Sequence, residues 1–274
     1  MKKYMFFLIF IFVTCNLYAY EDSDLDGVAN DVDKCPNTPF MALVDINGCT
    51  KKLLIQKKDE IHYDIVVGVN YSGSNFASLN QTDTYSSLLQ VDYYYNNYSF
   101  QASTSYYKTL SDSYEEQGFN DSFIGGAYTF KLQKPLSIRL GIGVILPTYD
   151  TILDNNNLDY TTSLNLSYAY NKFNFFGGAV YTLIEDDDVV GIVSYENTLA
   201  LSGGVGYNFT SKFYVSASYS TANSIYTDVE DVKILSLYFY KGIDKHWFLT
   251  GFYAYGLSDS ASDNALSLRL GYYF

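Results

Sequence analysis

Hydrophobic and polar positions alternate along most of this chain, and they do so most cleanly in its final stretch. In Asn264 to Phe274, Leu266, Leu268, Leu270, Tyr272 and Phe274 share one parity, while Ala265, Ser267, Arg269, Gly271 and Tyr273 share the other. Side chains alternate faces along a strand, so this is a ribbon with one apolar side and one small or polar side. The same pattern recurs upstream and predicts strands over 61–71, 84–95, 98–108, 121–131, 135–146, 159–170, 172–184, 196–208, 212–221, 232–241, 245–256 and 264–274. Three of them show the two faces well. Leu136, Ile138, Leu140, Ile142, Val144 and Leu146 oppose Ser137, Arg139, Gly141 and Gly143. Tyr98, Phe100, Ala102, Thr104 and Tyr106 oppose Ser99, Gln101, Ser103 and Ser105. Phe213, Val215, Ala217 and Tyr219 oppose Ser216, Ser218 and Ser220. Parity is ambiguous over 121–131 and 245–256.

The connections between these strands alternate in length. Short turns fall at Asn96-Asn97, Gln133-Lys134, Asn171, Thr210-Ser211 and Gly242-Ile243, and long loops at 72–83, 109–120, 147–158, 185–195, 222–231 and 257–263. About twelve strands is an even number, and bacterial membrane barrels join even numbers of strands by short periplasmic turns and long external loops. Charge sorts the same way. Lys131, Lys134, Lys172, Lys212, Lys241 and Lys245 crowd the short turns, whereas Glu115, Glu116, the run Glu185 to Asp188, and Asp228, Glu230 and Asp231 lie in the long loops. The expected fold is therefore all-β: a transmembrane antiparallel barrel over 61–274 with outer-membrane lipid as its surround. Tyr95, Tyr98, Tyr168, Tyr170, Phe209 and Phe213, near strand ends, suit interfacial aromatic girdles. This last strand resembles the C-terminal signal of bacterial outer-membrane β-barrels, on Leu268, Leu270, Tyr272 and Phe274. The resemblance implies recognition by the barrel assembly machinery and closure of the last strand against the first.

Composition agrees. The 30 Tyr, 19 Phe and 19 Gly against 4 Pro favour sheet, and no apolar run after residue 19 is long enough for a membrane helix. Residues 1–19 read as a secretory leader: Lys2 and Lys3, the apolar stretch Tyr4 to Val13, then cleavage after Leu17-Tyr18-Ala19. The net charge of −13 argues against a nucleic-acid partner, which needs a basic surface. It suits cations, or simply soluble loops.

Loss of Cys15 with the leader leaves Cys35 and Cys49, which should pair in an oxidising compartment. Just before them, Asp22, Asp24 and Asp26 place carboxylates at alternate positions, Gly27 permits a sharp turn, Val28 can offer its carbonyl, Asn30 sits where a water-bridged ligand is usual, and Asp33 takes the last position. That donor set suits Ca2+, although an EF-hand would end in Glu and carry flanking helices. With Lys34 to Pro39 and Val44 to Cys49 included, residues 22–49 resemble a single thrombospondin type 3 repeat. The resemblance implies calcium binding by the aspartates and an association with adhesion; Asn30 stands where the family usually has Asp. The expected organisation is leader 1–19, calcium-binding repeat 20–50, linker 51–60 and barrel, with the repeat in the periplasm of a Gram-negative bacterium.

The inward-facing charges Asp64, Asp92, Arg139 and Arg269 all fall near the short-turn ends of their strands, and are expected in one layer. That layer reads equally as a charged constriction or as structural salt bridges filling a narrow lumen. The acidic run Glu185 to Asp188 reads as a cation-gathering mouth or as a solvated loop tip. A twelve-stranded outer-membrane phospholipase uses Ser, His and Asn near the outer leaflet, but His62 and His246 lie at the opposite ends of their strands, so no enzyme is expected. The leading function is a porin-like passive channel for small hydrophilic solutes or ions. The alternative is a closed structural or adhesive barrel acting through its loops or its calcium repeat.

Overall fold

The computed structural model describes residues 22–24, 28–38, 42, 44–50, 61–75, 81–112, 114–132, 135–151 and 155–274. The leader 1–19, Asp26 and Gly27, the linker 51–60 and the turn residues Gln133 and Lys134 lie outside them. The chain divides into two compact units, Met1–Lys58 and Asp59–Phe274. No helix among the described residues is long and apolar enough to cross a membrane.

In the first unit Cys35 and Cys49 form a disulfide, as expected from their isolation as a pair. Among the described residues around it, the backbone is held by short-range polar contacts. Thr38 is buried and its hydroxyl donates to the carbonyls of Cys35 and Gly48, while the Asp45 carboxylate accepts the N–H groups of Asn47 and Cys49. A Val44–Thr50 bridge closes the segment.

The second unit is an antiparallel sheet of thirteen assigned strands: β1 (Ile61–Ser74), β2 (Thr82–Tyr95), β3 (Tyr98–Ser111), β4 (Glu115–Phe119), β5 (Ser122–Lys131), β6 (Leu136–Leu146), β7 (Asp159–Tyr170), β8 (Phe173–Leu183), β9 (Thr198–Thr210), β10 (Phe213–Ala222), β11 (Val232–Gly242), β12 (Trp247–Gly256) and β13 (Asn264–Tyr273). Both β4 and β5 pair with β3, β4 against residues 106–110 and β5 against 98–103, so they form one stave broken at Asn120-Asp121. Twelve staves result. The sheet closes on itself, because β1 pairs with β13 from Asp64↔Tyr273 to Gly73↔Asn264 and with β2 along its whole length. At that seam the Phe274 N–H donates to the Tyr63 carbonyl, and the two rings stack 4.6 Å apart. Closure pairs the body of every stave on both sides, which is the condition for a sheet to sit in hydrocarbon, and only the short β4 extension is paired by β3 alone.

Side-chain placement follows the parity seen in sequence. Leu266, Leu268, Leu270 and Phe274 are exposed on the outside, with Ser267 and Gly271 buried on the inside. Ile142 is 74% exposed, and a wall of exposed Val, Leu, Ile and aromatic residues surrounds it. No large side chain among the described residues is fully buried, which a soluble sandwich of this size could not tolerate. An apolar surface this extensive far exceeds the patches soluble monomers expose, and it fits lipid. The expected girdle residues do point outward at the short-turn ends, where Tyr98 meets Tyr128, Phe173 meets Tyr207 and Trp247 meets Tyr272 at ring separations of 4.8, 5.0 and 4.8 Å.

Two strands were ambiguous by parity for a visible reason: both of their faces carry aromatics. In β5, Phe123 points inward, while Ile124, Tyr128 and Phe130 point outward. In β12, Phe248 and Phe252 point inward, while Trp247, Tyr253 and Tyr255 point outward. Tight turns are set by asparagine: Asn96 and Asn171 both adopt positive φ, a conformation Asn tolerates better than other side chains.

In the turn after β11, the N–H groups of Trp247 and His246 bind Asp244 and hold its carboxyl below the usual range. A depressed folded-state value contributes stability above the unfolded value that is lost as pH falls through the folded one. Asp244→Asn should therefore lower the urea midpoint at neutral pH, and the variant and wild-type midpoints should converge in acid below the carboxylate range. Equal midpoints at neutral pH would refute the contribution.

Candidate functional site: the barrel lumen

The inward face is built mostly from small and polar residues. Near the short-turn end it gathers charge. Asp64 and Asp92 lie directly opposite each other in the β1–β2 register, and both are buried. The Gln90 and Gln101 amides donate to the two Asp92 oxygens at 2.7 and 3.1 Å. Arg269 faces Gly68 across the β1–β13 seam. A Cβ built on Gly68 would sit 2.8 Å from Arg269 Cγ, so the glycine makes room for the arginine stem. Its Nε donates to Ser267 Oγ at 3.2 Å.

Asp64, Asp92 and Arg269 line one cavity of about 500 Å³, together with Gln90, Ser267 and the rings of Tyr94, Tyr238, Tyr240, Phe248 and Tyr273. Arg139 lines a separate recess of about 230 Å³ with Ser99, Gln101 and Phe123, and donates from Nη2 to Ser99 Oγ at 2.9 Å. The structure thus brings three of the four expected charges into one cavity and sets the fourth beside it. Among the described residues the ion pairs are Lys108–Glu115 and Lys233–Glu230, both at the surface, and none joins these four lumen charges. Arg139 is inward-facing yet solvent-exposed. Hydrogen bonds to neutral amides and hydroxyls, rather than salt bridges, hold Asp92, Arg139 and Arg269.

The aromatic wall was the part sequence reading missed. Tyr273 falls on the polar parity of its strand, which was the available signal, whereas Phe248 lies on a strand whose two faces both carry aromatics. Their rings lie 4.6 Å apart, Tyr240 and Tyr273 hydroxyls 3.2 Å apart, and His62 stacks on Tyr94 at 4.4 Å. His246 Nδ1 lies 3.0 Å from the Tyr273 carbonyl.

At the opposite end the loops are tied to one another. Asn155 is buried, and its Nδ2 donates to the Asp187 carbonyl and the Tyr195 hydroxyl. Asp186 accepts the Asn157 N–H, Asp187 accepts from Asn157 Nδ2, and Asp188 accepts from Ser194 Oγ and the Tyr195 N–H. The acidic run is thus hydrogen-bonded to the neighbouring loop as a latch, while Glu185, Asp187 and Asp188 stay exposed to solvent.

In the first unit, Asp24 Oδ2 accepts the N–H groups of Asn37 and Thr38, and Asp33 Oδ1 accepts the Cys35 N–H. Each keeps its other oxygen buried without a hydrogen-bond partner. The Asn30 amide is engaged by Ser23, whose N–H it accepts and whose hydroxyl it contacts at 2.8 Å. Among the described residues, no three His, Cys, Asp or Glu side chains converge as a metal cluster, and Asp26 lies outside those residues.

A closed, lipid-facing antiparallel barrel of twelve staves is the fold of outer-membrane β-barrels of the porin and channel kind. Solved structures of that description resemble it: an outer-membrane channel from Pseudomonas putida F1 superimposes with a TM-score of 0.64 at 10% identity, covering 78% of this chain and 95% of that one. The NanC porin superimposes with a TM-score of 0.52 at 18% identity, covering 77% and 98%. In sequence, 28 residues are 64% identical to outer membrane porin F of Pseudomonas aeruginosa, a stretch covering 10% of this chain and 8% of that protein. No family model matches the chain.

Proposed function

We propose that the protein is a passive channel in the outer membrane of a Gram-negative bacterium, admitting small hydrophilic solutes or ions through the barrel. The observation that carries this reading is the inward face: mostly small and polar residues, with Arg139 reachable by solvent and, among the described residues, no salt bridge across the charged layer. The fold shared with a channel and a porin supports it. Swelling of liposomes that contain the refolded barrel tests it. Small sugars and amino acids should enter, with rates falling as solute size rises. A specific observation favours the second reading, a closed structural or adhesive barrel: the latch between the outer loops. Liposomes that do not swell around a folded barrel would select that reading.

In this proposal the lysine-bearing turns face the periplasm, the acidic loops face outward, and the first unit is a periplasmic calcium-binding repeat. The buried, unpartnered oxygens on Asp24 and Asp33 support the calcium site, since desolvated carboxylate oxygens need a cation. Asp22, Asp24, Asp26, the Val28 carbonyl, Asn30 through water, and Asp33 would hold the ion, a hard cation that suits oxygen donors. β13 would present Leu268, Leu270, Tyr272 and Phe274 to the assembly machinery. Calorimetric titration of the full chain should show calcium binding that Asp24→Ala and Asp33→Ala each weaken about tenfold or more. Absence of heat at millimolar calcium would end the calcium proposal.

A further inference from the structure

We propose that the lumen cavity at the short-turn end is a binding subsite for an organic ammonium ion, a primary or quaternary amine on an apolar body. The inference deepens the channel reading and rests on it. Asp64 and Asp92 are 5% and 7% exposed. Asp92 is satisfied by Gln90 and Gln101. Asp64 is not, because its Oδ1 is buried without a hydrogen-bond partner and no ion pair reaches it among the described residues. A buried carboxylate without a countercharge is expensive, so this corner of the cavity favours a cation.

The wall decides which cation. Tyr273 flanks Asp64 on the β13 side, and Tyr94 stands two residues from Asp92 on the β2 side. Phe248, Tyr238 and Tyr240 complete an aromatic surround. Ring faces attract weakly hydrated cations such as alkylammonium groups, whereas calcium wants six or more oxygens. A cavity of about 500 Å³ is far larger than a bare ion and falls within the range of small-molecule sites. The other basic groups facing it are His62, stacked on Tyr94, and Arg269, held by Ser267. Arg269 lies opposite Gly68, four residues along β1 from Asp64, which leaves the Asp64 end anionic.

Benzyltrimethylammonium is the probe. Titrated into the detergent-solubilised full chain, it should bind wild type, and Asp64→Asn should weaken binding about tenfold or more. Tyr273→Leu should weaken it as well, and it carries the test if the Asn variant does not fold. Sodium at the same concentration should not displace the probe. In a planar bilayer the probe should interrupt the potassium chloride current. Undiminished binding in both variants, or equal displacement by sodium, overturns the subsite. Current without probe binding also overturns the subsite while the channel stands, and binding to a barrel that carries no current upholds the subsite while the channel reading falls.

Discussion

Ile142→Lys should destabilise the barrel by about 2–4 kcal/mol, the cost of a lysine on the lipid face near the bilayer midplane. Ile142 lies in the middle of β6, outward-facing and 74% exposed, between Gly126 on β5 and Thr162 on β7. Neither neighbour offers a countercharge, and the side chain is too far from either interface to reach water cheaply. The control is one position along the partner strand and on the other face. Thr161 lines the Arg139 recess, so Thr161→Lys places the same charge where solvent reaches it and should change stability by under about 1 kcal/mol. Urea unfolding from lipid vesicles reads both variants. Equal losses would mean that the two faces are not lipid and lumen.

Replacing Cys35 and Cys49 by serine should remove about 3 kcal/mol from the first unit, the chain-entropy value for a loop of this length. The two cysteines are 14 residues apart, and the described backbone around them is held by side-chain-to-backbone hydrogen bonds with Thr38 as its main buried residue. So small a segment cannot compensate from a core. Limited proteolysis should clip the serine variant, or the reduced wild type, within residues 22–50 while the barrel stays intact. Resistance equal to that of the oxidised wild type would show that the disulfide is dispensable.

The alternation that exposes Leu268 and Ile142 to lipid and turns Ser267 and Gly141 inward was legible because lipid enforces it over every membrane-spanning strand. Where that constraint ends, so did legibility. Residues 109–120 read as a loop, yet β3 runs to Ser111 and β4 continues the stave over Glu115–Phe119. Here the outward positions mix charge with apolar residues, Glu115 pairing with Lys108 beside Leu110 and Phe119, so the alternation loses its clean two-faced form. The strands β1 and β2 also pair out to Ser74↔Thr82, past the predicted ends. Charge placement in the lumen was legible from strand position, but Arg139 sits in its own recess because neighbouring staves are staggered along the axis. The aromatic wall was hidden because rings suit girdles and lumens alike, and only strict parity separates Tyr273 from Tyr272.

Single-channel recording of the refolded protein in a planar bilayer tests the central claim most directly. Discrete current steps are expected, with a reversal potential under a salt gradient that favours cations, as a lumen carrying Asp64 and Asp92 without ion-paired countercharges should. Arg269→Ala should raise the conductance or shift the selectivity further toward cations. A silent bilayer from a correctly folded barrel would contradict the channel account, and unchanged currents in Arg269→Ala would remove the charged layer from it.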